Sequence, residues 1–259
     1  STMALAMESA KENNIQFVVF DRPNPIGGLV VEGPVLKEGF ESFIGMYPVP
    51  VRHGLTIGEL AMLLNERFGI NCNLTVIKMD GWQRKMHWQD TGLPWVMTSP
   101  NIPTPDTALL YPGTGLIGAT NISEGLGTTR PFELVGASWL DAQAVVDKLN
   151  DAQIPGVTFR PISFSPRFGK HSGVVQNGVQ LHITDRYGYQ AVHTAITVLT
   201  VMKELSNGQF NYDSVRMFDL AAGESELRLG TESLSELLTR WQAESQQFQA
   251  QSRQYYLYQ

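Results

Sequence analysis

Apolar residues recur at helical spacing from the first turn of the chain, with Met3, Ala6, Met7 and Ala10 on one face. Ile15 to Phe20 follows as a near-continuous apolar run, the pattern of a strand buried in a parallel sheet. An α-then-β unit at this position has no earlier strand to pair with. The pattern therefore predicts a chain that is a fragment, or is numbered from an internal point. Val30 to Val35 reads as a short strand interrupted by Glu32, which is either an edge residue or a buried carboxyl with a raised pKa. Ile57, Leu60, Ala61, Leu64 and Phe68 form the apolar stripe of a helix that Thr56 and Glu59 open in a capping-box pattern. Leu74 to Met79 alternates poorly and predicts a further buried strand.

The second half changes period. Leu93 to Pro112 carries five prolines and predicts an extended, rigid segment, suited to the wall of a groove. Leu140 to Leu149 reads as a helix. After Gly156, Val157 to Ser165 and Gly178 to Thr184 alternate as antiparallel strands do, with Val179, Leu181 and Ile183 opposite Gln180 and His182. Ala191 to Leu205 is a mostly apolar helix. Thr231 to Ala250 is amphipathic through Leu234, Leu237, Leu238, Trp241 and Phe248, with Ser233 and Glu236 as a second capping box. The tail Tyr255-Tyr256-Leu257-Tyr258 is expected to dock on the body. The fold class that results is α/β followed by α+β. The expected division lies between residues 21 and 36, giving a remnant of an α/β domain over 1–35 and a mixed domain over 36–259.

Composition narrows the chemistry. Charged residues make up 17% and hydrophobic residues 42% of 259 positions, with a net charge of −6. That balance opposes nucleic-acid binding, which needs clustered Lys and Arg. No apolar run reaches the length of a membrane span, and no signal peptide is visible. The one cysteine, Cys72, excludes an internal disulfide and a cysteine-rich metal site. Phosphate-loop, His-Glu-x-x-His and Gly-x-Ser-x-Gly motifs are absent. The histidines at 53, 87, 171, 182 and 193 show no metal-ligand spacing.

What remains is a set of polar loops. Thr120 to Glu133 holds two carboxylates, Arg130, Asn121 and four hydroxyls. Its Gly125 and Gly127 allow a tight turn or close approach to a ligand. The loop is either a self-satisfying turn, with Asn121, Ser123 and Thr128 bonding the backbone, or a site for sugar or phosphate with a carboxylate for proton transfer. Asp21 to Gly28 follows a strand, where ligands sit in open α/β sheets, and offers Arg22 and Asn24. Arg52 and His53 precede a helix N-terminus, a place that favours anions. Trp82 and Trp88, interleaved with Arg84 and Lys85, suit a sugar platform or plain packing.

These residues resemble a known family. Phe20-Asp21-Arg22-Pro23-Asn24-Pro25-Ile26-Gly27-Gly28, Glu32-Gly33-Pro34, Tyr47-Pro48 and Pro50-Val51-Arg52-His53-Gly54 look like the bacterial exo-β-N-acetylmuramidases, long catalogued as a domain of unknown function. The likeness continues through Thr91-Gly92-Leu93-Pro94-Trp95, Ser99-Pro100-Asn101, Tyr111-Pro112-Gly113 and Thr120 to Glu133, as far as Thr184-Asp185-Arg186 and the tyrosine-rich end. It implies an enzyme that removes N-acetylmuramic acid from the non-reducing end of peptidoglycan fragments; no cofactor and no metal are expected. It also implies a Rossmann-like N-terminal domain, a smaller C-terminal domain and an active cleft between them. Family members carry a long segment ahead of Ser1 that includes a glutamate- and histidine-bearing motif, so a second catalytic carboxylate is expected outside this sequence. An extracytoplasmic location follows from the substrate alone.

The resemblance also assigns roles. The lactyl carboxylate of N-acetylmuramic acid calls for an arginine, for which Arg22, Arg52 and Arg130 are available, with His53 beside Arg52. Its acetamido group and ring call for amide and aromatic partners, for which Asn24, Asn121, Trp95 and Tyr111 are candidates. Glu124, beside Gly125, is the expected proton donor, with Glu32 in reserve and Glu133 as a brace for Arg130. Two rival functions are a non-catalytic muropeptide- or sugar-binding module, and a phosphosugar enzyme that uses Arg52 and His53 as an anion clamp.

Overall fold

The computed structural model describes residues 1–259 and divides into two compact units, Ser1–Pro94 with Thr239–Gln259, and Trp95–Leu238. The division thus falls after Pro94, well beyond the 21–36 region expected from the residue pattern, and the end of the chain belongs with its beginning.

The first unit comprises α1 (Thr2–Glu12), β1 (Phe17–Phe20), β2 (Glu32–Val35), β3 (Pro50–Arg52), α2 (Ile57–Glu66) and β4 (Leu74–Ile77). β1 and β4 pair in parallel, Phe17 opposite Leu74 and Phe20 opposite Ile77, so the first strand finds its partner later in the chain. β2 and β3 pair antiparallel, with Glu32 opposite Arg52. The core gathers Ala4 and Met7 from α1, Val19 from β1, Leu63 and Leu64 from α2, and Phe248 and Tyr255 from the end of the chain. The uninterrupted apolar run of β1 predicts burial on both faces. Here only Val19 is buried, while Val18 and Phe20 are 43% and 72% exposed.

The strongest polar feature of this unit sits where α2 begins. Thr56 and Glu59 close the expected capping box, Thr56 Oγ1 accepting from Glu59 N and Glu59 Oε2 accepting from Thr56 N at 3.0 Å. Glu59 is completely buried, and its Oε1 accepts from Arg84 Nη1 at 2.6 Å and from Leu257 N at 2.8 Å. Arg84 also donates to the Gly54 carbonyl and lies 3.5 Å from the Tyr256 ring centroid. Asp21, at the carboxyl end of β1, accepts from Thr56 Oγ1, Gly58 N and Tyr258 OH at 2.7 to 2.8 Å. Two buried carboxylates and one buried guanidinium thereby tie α2 to β1 and to the tail.

The second unit contains α3 (Pro105–Thr114), a 3-10 turn (Gly115–Ala119), β5 (Leu134–Ala137), α4 (Ala142–Asp151), β6 (Val157–Phe164), β7 (Gln176–Ile183), α5 (Ala191–Glu204), α6 (Val215–Ala222), α7 (Glu226–Leu229) and the start of α8 (Leu234–Ser252), whose remainder lies in the first unit. Its sheet has the order β5-β7-β6 and is antiparallel throughout. The proline-rich segment expected to be extended instead turns helical at Pro105. That proline occupies the first turn, where no N–H is required, and Thr104 Oγ1 caps Thr107 N at 3.1 Å. α3 packs on α5, and a Cβ on Gly113 would overlap the Ala191 carbonyl oxygen. The helices meet backbone to backbone because position 113 has no side chain.

Two stability outcomes follow. Glu59→Gln should lower unfolding stability by roughly 3 kcal/mol or more, because it leaves the Arg84 guanidinium buried without its carboxylate. Urea titration of this variant, of Arg84→Met and of the double variant checks it, and the double should lose less than the sum of the singles. Gly113→Ala should lower stability by about 1–3 kcal/mol through overpacking against Ala191, measured in the same titration.

Candidate active site

In the first unit, the charged residues singled out from the sequence largely serve the fold. Arg52 is 1% exposed, and its Nη1 meets Glu32 Oε1 at 2.9 Å across the β2–β3 pair, while Nη2 donates to the Ile26 carbonyl at 2.7 Å. Asn24 donates to the Leu55 carbonyl and accepts from Ile26 N, which closes the 21–28 turn on itself. The N-terminus of α2, expected to attract a substrate anion, already holds the Asp21 carboxylate on Gly58 N. His53 Nδ1 accepts from Leu55 N at 3.1 Å, and burial lowers the pKa of its imidazole to about 4. A neutral ring that spends a lone pair on the backbone is a poor half of an anion clamp. Arg22 is exposed, its backbone N–H bonded to Asp21 Oδ1.

In the second unit, the 120–133 loop combines both of its expected characters. Asn121 spends its whole amide on the chain, Nδ2 donating to the Gln209 carbonyl at 2.8 Å and Oδ1 accepting from Asn211 N at 2.9 Å. Ser123 exchanges backbone hydrogen bonds with Gly136, and Thr128 Oγ1 donates to the Gly125 carbonyl at 2.6 Å. Gly125 and Gly127 have φ of +81° and +85°, a region that disfavours a Cβ. Their close approaches are to protein backbone rather than open space, since a Cβ on Gly125 would lie 2.7 Å from the Leu134 carbonyl oxygen and one on Gly127 would overlap that of Phe168. Arg130, 57% exposed, bonds Glu133 Oε2 at 2.8 Å, and Glu133 Oε1 accepts from Thr107.

Glu124 differs from these neighbours. It is 6% exposed, its carboxyl lies beside Gly118, and no side chain bonds it directly. Burial is the main cause raising its pKa; its own backbone N–H and the charge of Lys170 oppose the rise, and Asp213 adds to it. Lys170 Nζ donates to the Gly118 carbonyl at 2.9 Å, to the Thr120 carbonyl and to Asp213 Oδ2 at 3.0 Å. The adjacent His171 has a buried Nε2 with no partner, and burial, assisted by Lys170, lowers its pKa. Lys170, His171 and Asp213 carry no pattern that marks them in the sequence. They come from the β6–β7 connection and from the segment before α6, and only the fold brings them to this loop.

An aromatic wall stands beside the loop. Tyr111 is 50% exposed, its ring edge-on to Phe132 at 4.9 Å and against Gly115. Phe132 holds φ +64°, uncommon for an aromatic residue, and donates its N–H to the Glu124 carbonyl at 2.7 Å. Trp95, half-buried, donates Nε1 to the Ile102 carbonyl. A buried carboxyl whose pKa is raised, in a loop that also holds a fixed aromatic face and an exposed guanidinium, has the character of a proton donor to a bound sugar.

The model of the family described as exo-beta-N-acetylmuramidase NamZ matches in two parts, the N-terminal part over residues 1–106 and the C-terminal part over 109–258. The chain is 47% identical to the peptidoglycan beta-N-acetylmuramidase NamZ of Bacillus subtilis (strain 168) over 99% of its own residues. It spans 63% of that relative's length. Among solved structures, a DUF1343 family protein from Bacteroides fragilis NCTC 9343 superposes with a TM-score of 0.94 at 38% identity, covering 100% of this chain and 70% of that one. A second DUF1343 protein of the same organism gives 0.73 at 25% identity with the same coverage.

The His53 environment sets a pH dependence. The folded ring stays neutral to about pH 4, whereas the unfolded ring binds a proton below about 6.5. Its stabilising contribution is therefore complete above pH 6.5 and is lost as pH falls from there towards 4. His53→Asn, which keeps an acceptor for Leu55 N, should show a smaller drop in urea midpoint between pH 7 and pH 5 than the unaltered protein.

Proposed function

Since the chain belongs to the NamZ exo-β-N-acetylmuramidase family, we propose that it acts as a glycoside hydrolase removing N-acetylmuramic acid from the non-reducing end of peptidoglycan fragments. The observation that carries this reading is the Glu124 carboxyl, buried beside Gly118 with no side chain bonded to it, where burial raises its pKa. In the proposed reaction Glu124 gives its proton to the glycosidic oxygen as the bond from that oxygen to the anomeric carbon breaks. The bond electrons pass to the leaving oxygen, water adds at the anomeric carbon, and the proton that water sheds restores the acid.

Arg130 is the proposed partner of the lactyl carboxylate, since its guanidinium is more than half exposed while anchored on Glu133. Tyr111 offers the sugar a face that Phe132 and Gly115 hold in place. Trp95 and the exposed Arg22 remain candidates for substrate contact. Glu32, Arg52, Asn24, Asn121 and His53 are assigned to the framework, because each makes a hydrogen bond or ion pair within the protein. The parallel β1–β4 pair, with α2 between the two strands in sequence, supports placing the first unit in a Rossmann-like layer. Peptidoglycan-derived disaccharides and muropeptides are the proposed substrates, and an extracytoplasmic site of action fits them. No helix is long and apolar enough to cross a membrane.

The test is release of chromophore by the full-length protein from an aryl β-N-acetylmuraminide, beside the matching N-acetylglucosaminide. Release from the muraminide is expected, falling at least about 100-fold in Glu124→Gln. Full activity of Glu124→Gln would remove the acid assignment. Absence of release from either sugar would overturn the hydrolase reading.

A further inference from the structure

Lys170 ties its own β6–β7 connection to two other segments near Glu124. An ammonium has three N–H donors, and all three are accounted for: the Gly118 carbonyl, the Thr120 carbonyl and Asp213 Oδ2. The two carbonyls flank the end of the 3-10 turn that leads into the 120–133 loop, and Gly118 is the residue against which the Glu124 carboxyl rests. Asp213 precedes α6, and its own N–H donates to the Ala119 carbonyl at 3.0 Å. The same turn is thus gripped by both members of the ion pair.

From this geometry we propose that Lys170 is a positioning residue for Glu124: with Asp213 it fixes the turn under that carboxyl and forms a paired charge that sets the pH range over which the acid keeps its proton. The inference rests on Glu124 being the proton donor.

Charge arithmetic gives the pair its purpose. A lone cation beside a buried carboxyl would hold it ionised and unable to donate, whereas a lone carboxylate would push its proton affinity higher still. Held together, the two fields oppose each other at Glu124, and burial is left as the main influence, raising its pKa. The remaining ionisable groups nearby leave that balance intact. Burial and Lys170 lower the pKa of His171 against the opposing pull of Asp213 and a backbone hydrogen bond, and Arg130 pairs with Glu133 of the same loop.

Two variants separate this from a merely structural bridge. Lys170→Met removes the cation, so Glu124 should hold its proton to higher pH. Asp213→Asn keeps an oxygen for the ammonium but removes the negative charge, so the proton should be lost at lower pH. The readouts are the alkaline limb of the pH–activity profile and the carboxyl carbon-13 titration of Glu124, assigned by its disappearance in Glu124→Gln. Shifts in opposite directions, of about one unit each, are expected. Shifts in the same direction, or none in either readout, would overturn the proposal. If Lys170→Met does not fold, Asp213→Asn alone decides by the direction of its shift. Should Glu124→Gln retain activity, the acid assignment fails, yet the carbon-13 titration still reports whether Lys170 and Asp213 govern this carboxyl.

Discussion

A buried polar group must be paired, and in the first unit that requirement centres on the start of α2. Glu59 and Asp21 both lie out of solvent there, and between them they engage the helix N-terminus, Arg84 and the last residues of the chain. Bringing a carboxylate into the interior without partners would be prohibitive. The tail is therefore held by backbone and tyrosine hydrogen bonds as well as by its aromatic rings. The same economy explains why the helix mouth is closed, since Asp21 is the anion that its N–H groups receive.

The second unit meets the requirement differently. Its 120–133 loop is irregular, yet its amides, hydroxyls and carbonyls find partners in neighbouring segments, and two glycines let those segments approach to van der Waals distance. Against this satisfied background Glu124 stands out as a buried carboxyl without a directly bonded side chain. An ion pair one segment away acts on it instead. Contrast makes the case here. Glu133, as deeply buried as Glu124 at 6% exposure and in the same loop, is bonded on both oxygens and acts as a brace.

Much of the secondary structure was legible in the sequence because it rests on local periodicity. The capping box of Thr56 and Glu59, the antiparallel strand around Val179 and Leu181, and the Ser233–Glu236 cap read correctly from spacing alone, whereas Ile57 of the expected apolar stripe is 40% exposed and Phe68 lies beyond the helix end. The helix at Pro105 was not legible, since prolines count against a helix until one knows that Thr104 caps it and that Pro105 falls in its first turn. Nor was the exposure of Val18 and Phe20, because an apolar run does not say how many faces of its sheet are covered.

The family and the position of Glu124 in a polar glycine-flanked loop were fixed by the sequence itself, since long ordered motifs and local composition survive without coordinates. Tertiary structure alone decided which charges are spent. Arg52 and Glu32 meet because β2 and β3 pair in one register, and Lys170 and Asp213 reach the Glu124 loop from positions 46 and 89 residues downstream. Pairing and burial are properties of distance in space, and a linear pattern carries no record of which distant side chain will fill a given acceptor.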